Sequence, residues 1–263
     1  MRIGRLNVLA RRSMVVLCLV ACLAASQAHA DVVGMWLFEE GAGDVAVDSS
    51  GRGHDGTLID GASWVAGTFG GGVEFDNTGF IEWEHHEDFS FDQNLTFMYS
   101  ARFDAITPQE FVGMPRKEGE YTMAAHKVGN DMEMTLWLNI AGGWIGQIPA
   151  AGVFPAHAYG SWHHYAATYD GSTVVLYLDG EPAGDMDVAG DIGKTDAVMR
   201  MSNSCCGGRF MEGALDEFVM ANHTMTQAEI AEYATKGVEG VLAVEALGKL
   251  PVVWAGLKGA RER

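Results

Sequence analysis

Positive charge is scarce in this chain: 17 Lys and Arg stand against 35 Asp and Glu, a formal net charge of −18. Four of the 17, and no acid, fall within MRIGRLNVLARRS at the start, so the remainder carries 13 basic residues against 35 acidic ones, or −22. A surface of that sign repels phosphate backbones and argues against a nucleic-acid partner, while its carboxylates can recruit divalent cations. Cysteine is nearly absent too. Of the four, Cys18 and Cys22 lie in the first thirty residues and Cys205-Cys206 are neighbours in sequence. That excludes an ordinary disulfide framework and leaves two free thiols or one strained ring, with too few ligands nearby for zinc.

Long apolar runs are also missing. MVVLCLVACLAA is too short to span a bilayer, and behind four arginines it reads as the apolar part of an export signal over residues 1–30. Ala28-His29-Ala30 offers the cleavage site, with Asp31 as the first mature residue. Leu19-Val20-Ala21-Cys22 fits lipoprotein processing as well, which leaves soluble release and a lipid anchor on Cys22 as alternatives. Either way the protein is expected to be secreted or at the cell surface, with no transmembrane segment in the mature chain. The remaining 233 residues suit one domain with a sizeable core.

Helical periodicity is absent until residue 226. Apolar runs with period-two alternation recur instead, broken by Gly, Asp and Asn, and predict strands over 32–38, 71–75, 80–83, 95–103, 121–128, 133–140, 162–169, 173–180, 197–202 and 213–221. More than eight strands without a repeat predict an all-β, two-sheet antiparallel sandwich. Thr226 followed by Glu229 is a capping box and predicts one short C-terminal helix through TQAEIAEYA. These signals place a domain over 31–236 and an appendix over 237–263, with 106–120 as the longest loop.

In SWHHYAATYDGSTVVLYLDG, Asp170-Gly171 joins two strands and Asp179-Gly180 ends the second. Adjacent strand residues point to opposite faces, so His163 and His164 cannot act as a pair. Their expected role is packing and hydrogen bonding.

That hairpin resembles the central hairpin of the laminin G-like jellyroll domains, within the concanavalin A-like lectin and glucanase superfamily. Three further motifs agree in order: VVGMWLFEEGAGDVAVDSSGRGHDGTL (32–58), FGGGVEFDNTGFIEW (69–83) and GALDEFVMANHTMTQAEIAEY (213–233). The resemblance implies a jellyroll sandwich, often with a structural calcium ion, recognising ligands on a concave face or its loops. It also implies that Asp48 and Asp216 come together around calcium, helped by carbonyls near Glu39 and Gly53. Otherwise Asp48 caps a turn and Asp216 bonds nearby backbone.

Carbohydrate binding needs flat aromatic faces beside amides or charged groups. Trp137, Asn139 and Trp144, with Asn203 and Arg209 in a later loop, supply both, although such aromatics also build sandwich cores. Glycoside hydrolysis needs two carboxyl groups placed across the scissile bond. The superfamily's Glu-x-Asp-x-x-Glu strand motif is missing, Asp216-Glu217 are adjacent and expected to face opposite ways, and Glu82 with Glu84 read as a solvated edge. The expectation is therefore a non-catalytic module, not an enzyme, binding a glycan or else acting as an extracellular protein-protein adhesion or scaffold module, with a glycosidase or polysaccharide lyase as the last alternative.

Overall fold

The computed structural model describes residues 32–106, 111–128, 131–146, 157–203 and 209–259, with side chains as far as residue 243. Residues 1–30, read above as an export signal, the Cys205-Cys206 pair and residues 260–263 lie outside the described residues. Strands run in the order β1 (Val32–Trp36), β2 (Val45–Ala46), β3 (Gly56–Ile59), β4 (Ala62–Ala66), β5 (Gly71–Asp76), β6 (Phe80–Trp83), β7 (Leu95–Ile106), β8 (Phe111–Lys117) and β9 (Tyr121–Val128). They continue through β10 (Asp131–Ile140), β11 (Gly143–Ile145), β12 (His157–Ala158), β13 (Trp162–Tyr169), β14 (Thr173–Leu178), β15 (Glu181–Asp187), β16 (Met199–Met201) and β17 (Met211–Ala221), followed by helix α1 (Gln227–Gly259).

These strands form two antiparallel sheets. The first runs β15-β14-β13-β7-β17-β5-β4, with β1 also paired to β17; the second runs β11-β10-β9-β8-β16-β6-β3-β2, with β12 paired to β10. Alternation sets which side chains are enclosed. On β10, Met134, Leu136, Leu138 and Ile140 enter the core between the sheets, each contributing on the order of 2 kcal/mol by burial. Trp36 stacks on Phe218 at 5.0 Å and tilts against Trp83 at 4.9 Å, so aromatics from both sheets meet at one end of the sandwich.

The two-sheet architecture matches the sequence expectation, with local differences. The segment taken as the loop 106–120 contains β8, whose Val112 and Met114 are buried. Its Gly113 and Pro115 weaken the local strand signal, and pairing with β9 and β16 overrides it. The short strands β3 and β4 carry few alternating positions, and β15, EPAGDMD, is polar with a proline, so none stands out.

Thr226 and Glu229 do form a capping box: Glu229 Oε2 accepts from Thr226 N at 2.7 Å, and Thr226 Oγ1 accepts from Glu229 N at 3.4 Å. Gly237, at φ 66° and ψ 173°, divides α1 into two helical pieces, so the helix runs further than the periodicity suggested. Met225, Ile230, Tyr233, Val238 and Val241 pack on Met35, Met98, Ala166, Tyr177 and Val219, covering part of the outer face of the first sheet.

Strand β17 has a break in mid-course. Along one edge β5 pairs with 212–215 and β1 with 218–221, and the register against β7 shifts between Asp216 and Val219. Glu217 sits there at φ 50°, in the left-handed region. Strict alternation fails at such a bulge. Asp216 and Glu217, expected to face opposite ways, stand close enough that the charge of Asp216 disfavours that of Glu217.

Candidate functional site

Helix α1 packs on the outer face of the first sheet, and the candidate ligand residues lie on the outer face of the second. Cross-strand register assembles it from distant segments. Trp137 lies opposite Thr122, Thr122 opposite Arg116, Arg116 opposite Arg200, and Arg200 opposite Glu82, all turned away from the core. Nearby, Glu133 lies opposite His126 and His126 opposite Phe111. Arg200 donates to Glu82 at 2.7 Å and lies 5.3 Å from the Phe80 ring; Arg116 pairs with Glu118.

Three of the expected ligand residues come together here. Asn139 on β10 faces Trp144 on β11, and Trp137 stands two residues along the same face. Trp144 is 40% exposed, the presentation a stacking residue needs. Trp137 is half-buried, and Gly146 lies against its indole: a Cβ at residue 146 would be 2.3 Å from Trp137 Cδ2. Trp137 Nε1 and Asn139 Oδ1 are both buried without a hydrogen-bond partner among the described residues. Burying such groups unpaired costs free energy that a polar ligand would recover.

The other two lie across the sheet. Asn203 is buried beside Gly113 of β8, and Arg209 stands over Phe111 at 5.4 Å. Phe111 meets His126 edge-on at 4.8 Å, which links Arg209 to the Glu133 row. His126 Nε2 is a third buried atom without a partner, and burial holds that imidazole down at about 4, neutral at pH 7. Glu133 and Thr135 are buried on the same face. His126, Glu133, Arg116 and Arg200 were not singled out by sequence reasoning, because only strand pairing places them beside Trp137. Alternation within YTMAAHKV and EMTLWLNI was the one available signal.

The expected metal residues serve separate turns. Asp48 Oδ1 accepts from Met35 N at 3.1 Å and Ser50 N at 2.9 Å, and its Oδ2 from Ser50 Oγ at 2.8 Å and His54 N at 3.0 Å. Those hydrogen bonds outweigh burial and lower its pKa. Asp216 Oδ2 accepts from Thr68 N at 2.8 Å and Phe69 N at 2.9 Å, while its buried Oδ1 has no partner among the described residues. Burial chiefly, with Glu39 adding repulsion, raises Asp216 to about 6. Glu39 itself accepts from Gly71 N at 3.0 Å.

The two adjacent histidines diverge around one acid. His163 Nδ1 lies 2.8 Å from Asp179 Oδ2, whereas the backbone N–H of His164 donates to Asp179 Oδ1 at 2.9 Å. The His164 ring is buried, which lowers its pKa to about 4. Among carboxyl groups, Asp216 and Glu217 have raised pKa values, yet they are 0% and 8% exposed. A separate polar cleft of about 250 Å³ opens at the sandwich rim, lined in part by Asp88, Asp92, Gln93, Asn94 and Asn222.

A laminin G family model, described as the concanavalin A-like lectin/glucanases superfamily, matches residues 75–231. Among curated proteins none matches. Domain 4 of an extracellular arabinanase from Geobacillus stearothermophilus, solved in complex with arabinotriose, is similar at TM-score 0.62 and 17% identity, over 78% of this chain and 98% of that one. The binding domain of Paraclostridial Mosquitocidal Protein 1 is similar at TM-score 0.63 and 12% identity, over 78% of this chain and 52% of its own. A Trypanosoma rangeli sialidase in complex with a difluoro-KDN is similar at TM-score 0.56 and 16% identity, over 78% and 32%. At such identities the likeness shows the fold alone.

Proposed function

The chain belongs to the concanavalin A-like lectin/glucanase superfamily, and from that premise we propose that it is an exported, non-catalytic module that binds carbohydrate on the outer face of its second sheet. The superfamily holds both binding modules and glycosidases, so the reading rests on the site. The observation that carries it is the grouping of exposed Trp144 with Asn139 and Trp137, whose Oδ1 and Nε1 are buried without partners. An aromatic face suits sugar C–H surfaces, and an unpaired acceptor and donor suit hydroxyls. The arabinotriose complex of the arabinanase domain supports a saccharide as the ligand class. Asp216 and Glu217, the carboxyls with raised pKa values, are enclosed at the β17 bulge and present little surface to a saccharide, which supports a binding role over hydrolysis.

Calcium forms part of the same proposal. Asp216 Oδ1 is a buried carboxylate oxygen without a donor, and exposed Glu39 stands near enough to repel it. A hard divalent cation held by Asp216 with Glu39 would supply the missing countercharge and stabilise the turn at Thr68 and Phe69. Both oxygens of Asp48 are already engaged, in keeping with the turn-anchor reading of that residue. The arginine-rich start and apolar run of residues 1–30 support export.

The test is a glycan array probed with the purified protein and with Trp144→Ala. Saturable binding to a defined saccharide, lost in the variant, is expected. No glycan binding, or binding unchanged in Trp144→Ala, would remove the reading and favour an extracellular protein partner. For calcium, thermal unfolding with the ion and with a chelator should differ by roughly 3 kcal/mol at a hundredfold excess over the dissociation constant, and the difference should vanish in Asp216→Asn.

A further inference from the structure

We propose that His54, His86 and Asp88 form a binding site for a divalent transition-metal ion, zinc foremost, at the rim of the sandwich. This site is independent of the carbohydrate face and of the acids at the β17 bulge. Its three donors come from two segments brought together by folding. Asp48 holds the turn that ends at His54 by accepting from His54 N at 3.0 Å. His86 opens a single turn of 3-10 helix over Glu87–Phe89, and its Nδ1 accepts from Asp88 N at 3.1 Å.

The geometry suits a small tetrahedral ion. His54 Nε2 lies 3.0 Å and His86 Nδ1 3.7 Å from Asp88 Oδ2, and one donor atom from each of the three residues falls within 4.8 Å of the others. Zinc bonds of about 2.0–2.1 Å place neighbouring tetrahedral donors roughly 3.3 Å apart, between the two separations found. Two imidazoles and one carboxylate are a borderline-soft set preferred by zinc and its neighbours over calcium or magnesium. The imidazole rings are 4.2 Å apart, and Phe89 packs edge-on against His54 at 4.9 Å, which orients that ligand.

Access and charge agree with this use. The His54 side chain is 8% exposed, whereas that of His86 is 51% exposed and leaves the fourth position open to solvent. The net charge of −18 favours cations around the molecule. Arg52 Nη1 donates to Asp88 Oδ2 at 3.2 Å, so an ion must share or displace that contact, and the second oxygen of Asp88 can retain the guanidinium. His86 likewise exchanges its bond to Asp88 N for the metal or binds through its other nitrogen. The site is therefore exchangeable, occupied according to ion concentration.

Zinc chloride titrated by calorimetry into chelator-treated protein tests the assignment, with cobalt absorption spectra as a second readout. One equivalent of zinc should bind. His86→Asn keeps a side-chain acceptor for Asp88 N while removing the imidazole, and it should weaken binding about tenfold or more, as should Asp88→Asn. His85→Asn, next in sequence but outside the cluster, should bind like the parent, and bound cobalt should show intense four-coordinate bands absent from His86→Asn. Binding without a defined stoichiometry, a His86→Asn affinity within twofold of the parent, or equal loss in His85→Asn would overturn the site.

Discussion

Glu217 Oε1 accepts the backbone N–H of Val238 at 2.9 Å, tying the bulge of the closing strand to the break between the two pieces of helix α1. Burial first, then repulsion from Asp216 and other acids, raises Glu217 to about 7. Unfolded carboxyls titrate near 4, so between roughly pH 4 and 7 the folded state binds more protons and stability falls as pH rises. Denaturant unfolding in chelator should lose roughly 3 kcal/mol across that window from this group. Glu217→Gln should flatten the decline, most clearly between pH 5 and 6.5; an unchanged slope would remove Glu217 as its cause.

The buried histidines act in the other direction. His126 and His164 are lowered to about 4 by burial, so below pH 6.5 the unfolded chain takes up protons that the folded one refuses. Their contribution is present above that pH and is lost as pH falls towards 4. His164→Leu should lessen the acid-side loss measured by the same unfolding series.

Lys117 and Glu120 form an ion pair with no exposed side-chain surface, and Lys117 Nζ also donates to Ser90 Oγ at 3.0 Å and Thr195 O at 2.6 Å. Removing one member strands the other. Lys117→Ala or Glu120→Ala should each cost about 3–5 kcal/mol, and Lys117→Met combined with Glu120→Leu much less than their sum. A double-mutant cycle in denaturant measures the difference.

Trp137→Phe separates binding from packing. The ring against Gly146 is kept while Nε1 is lost, so melting should change little and glycan affinity should fall by about 1 kcal/mol, read by calorimetry. Equal affinity would place the sugar away from Nε1.

Much of the fold was legible because sheets announce themselves locally. The alternation in FIEW, YTMAAHKV and WHHYAATY gave strand bounds that agree with β6, β9 and β13. Part of the candidate site was legible too, since Trp137 and Asn139 share a strand face. The rest was not. That Trp144 faces Asn139 depends on the hairpin at Ala141-Gly142, and that Arg116 adjoins Arg200 depends on pairing segments far apart in the chain. His54 and Asp88 meet only because two turns close on the same rim.

The sequence by itself determined an acidic, all-β sandwich with a capped helix, because charge, period-two alternation, Asp-Gly turns and the Thr226–Glu229 box each act over a few residues. Tertiary structure alone decided that β8 is a strand, that a bulge interrupts β17 at Glu217, and which polar groups are buried unpaired. Those outcomes depend on register, bulges and burial, which arise between distant segments and leave no period to read.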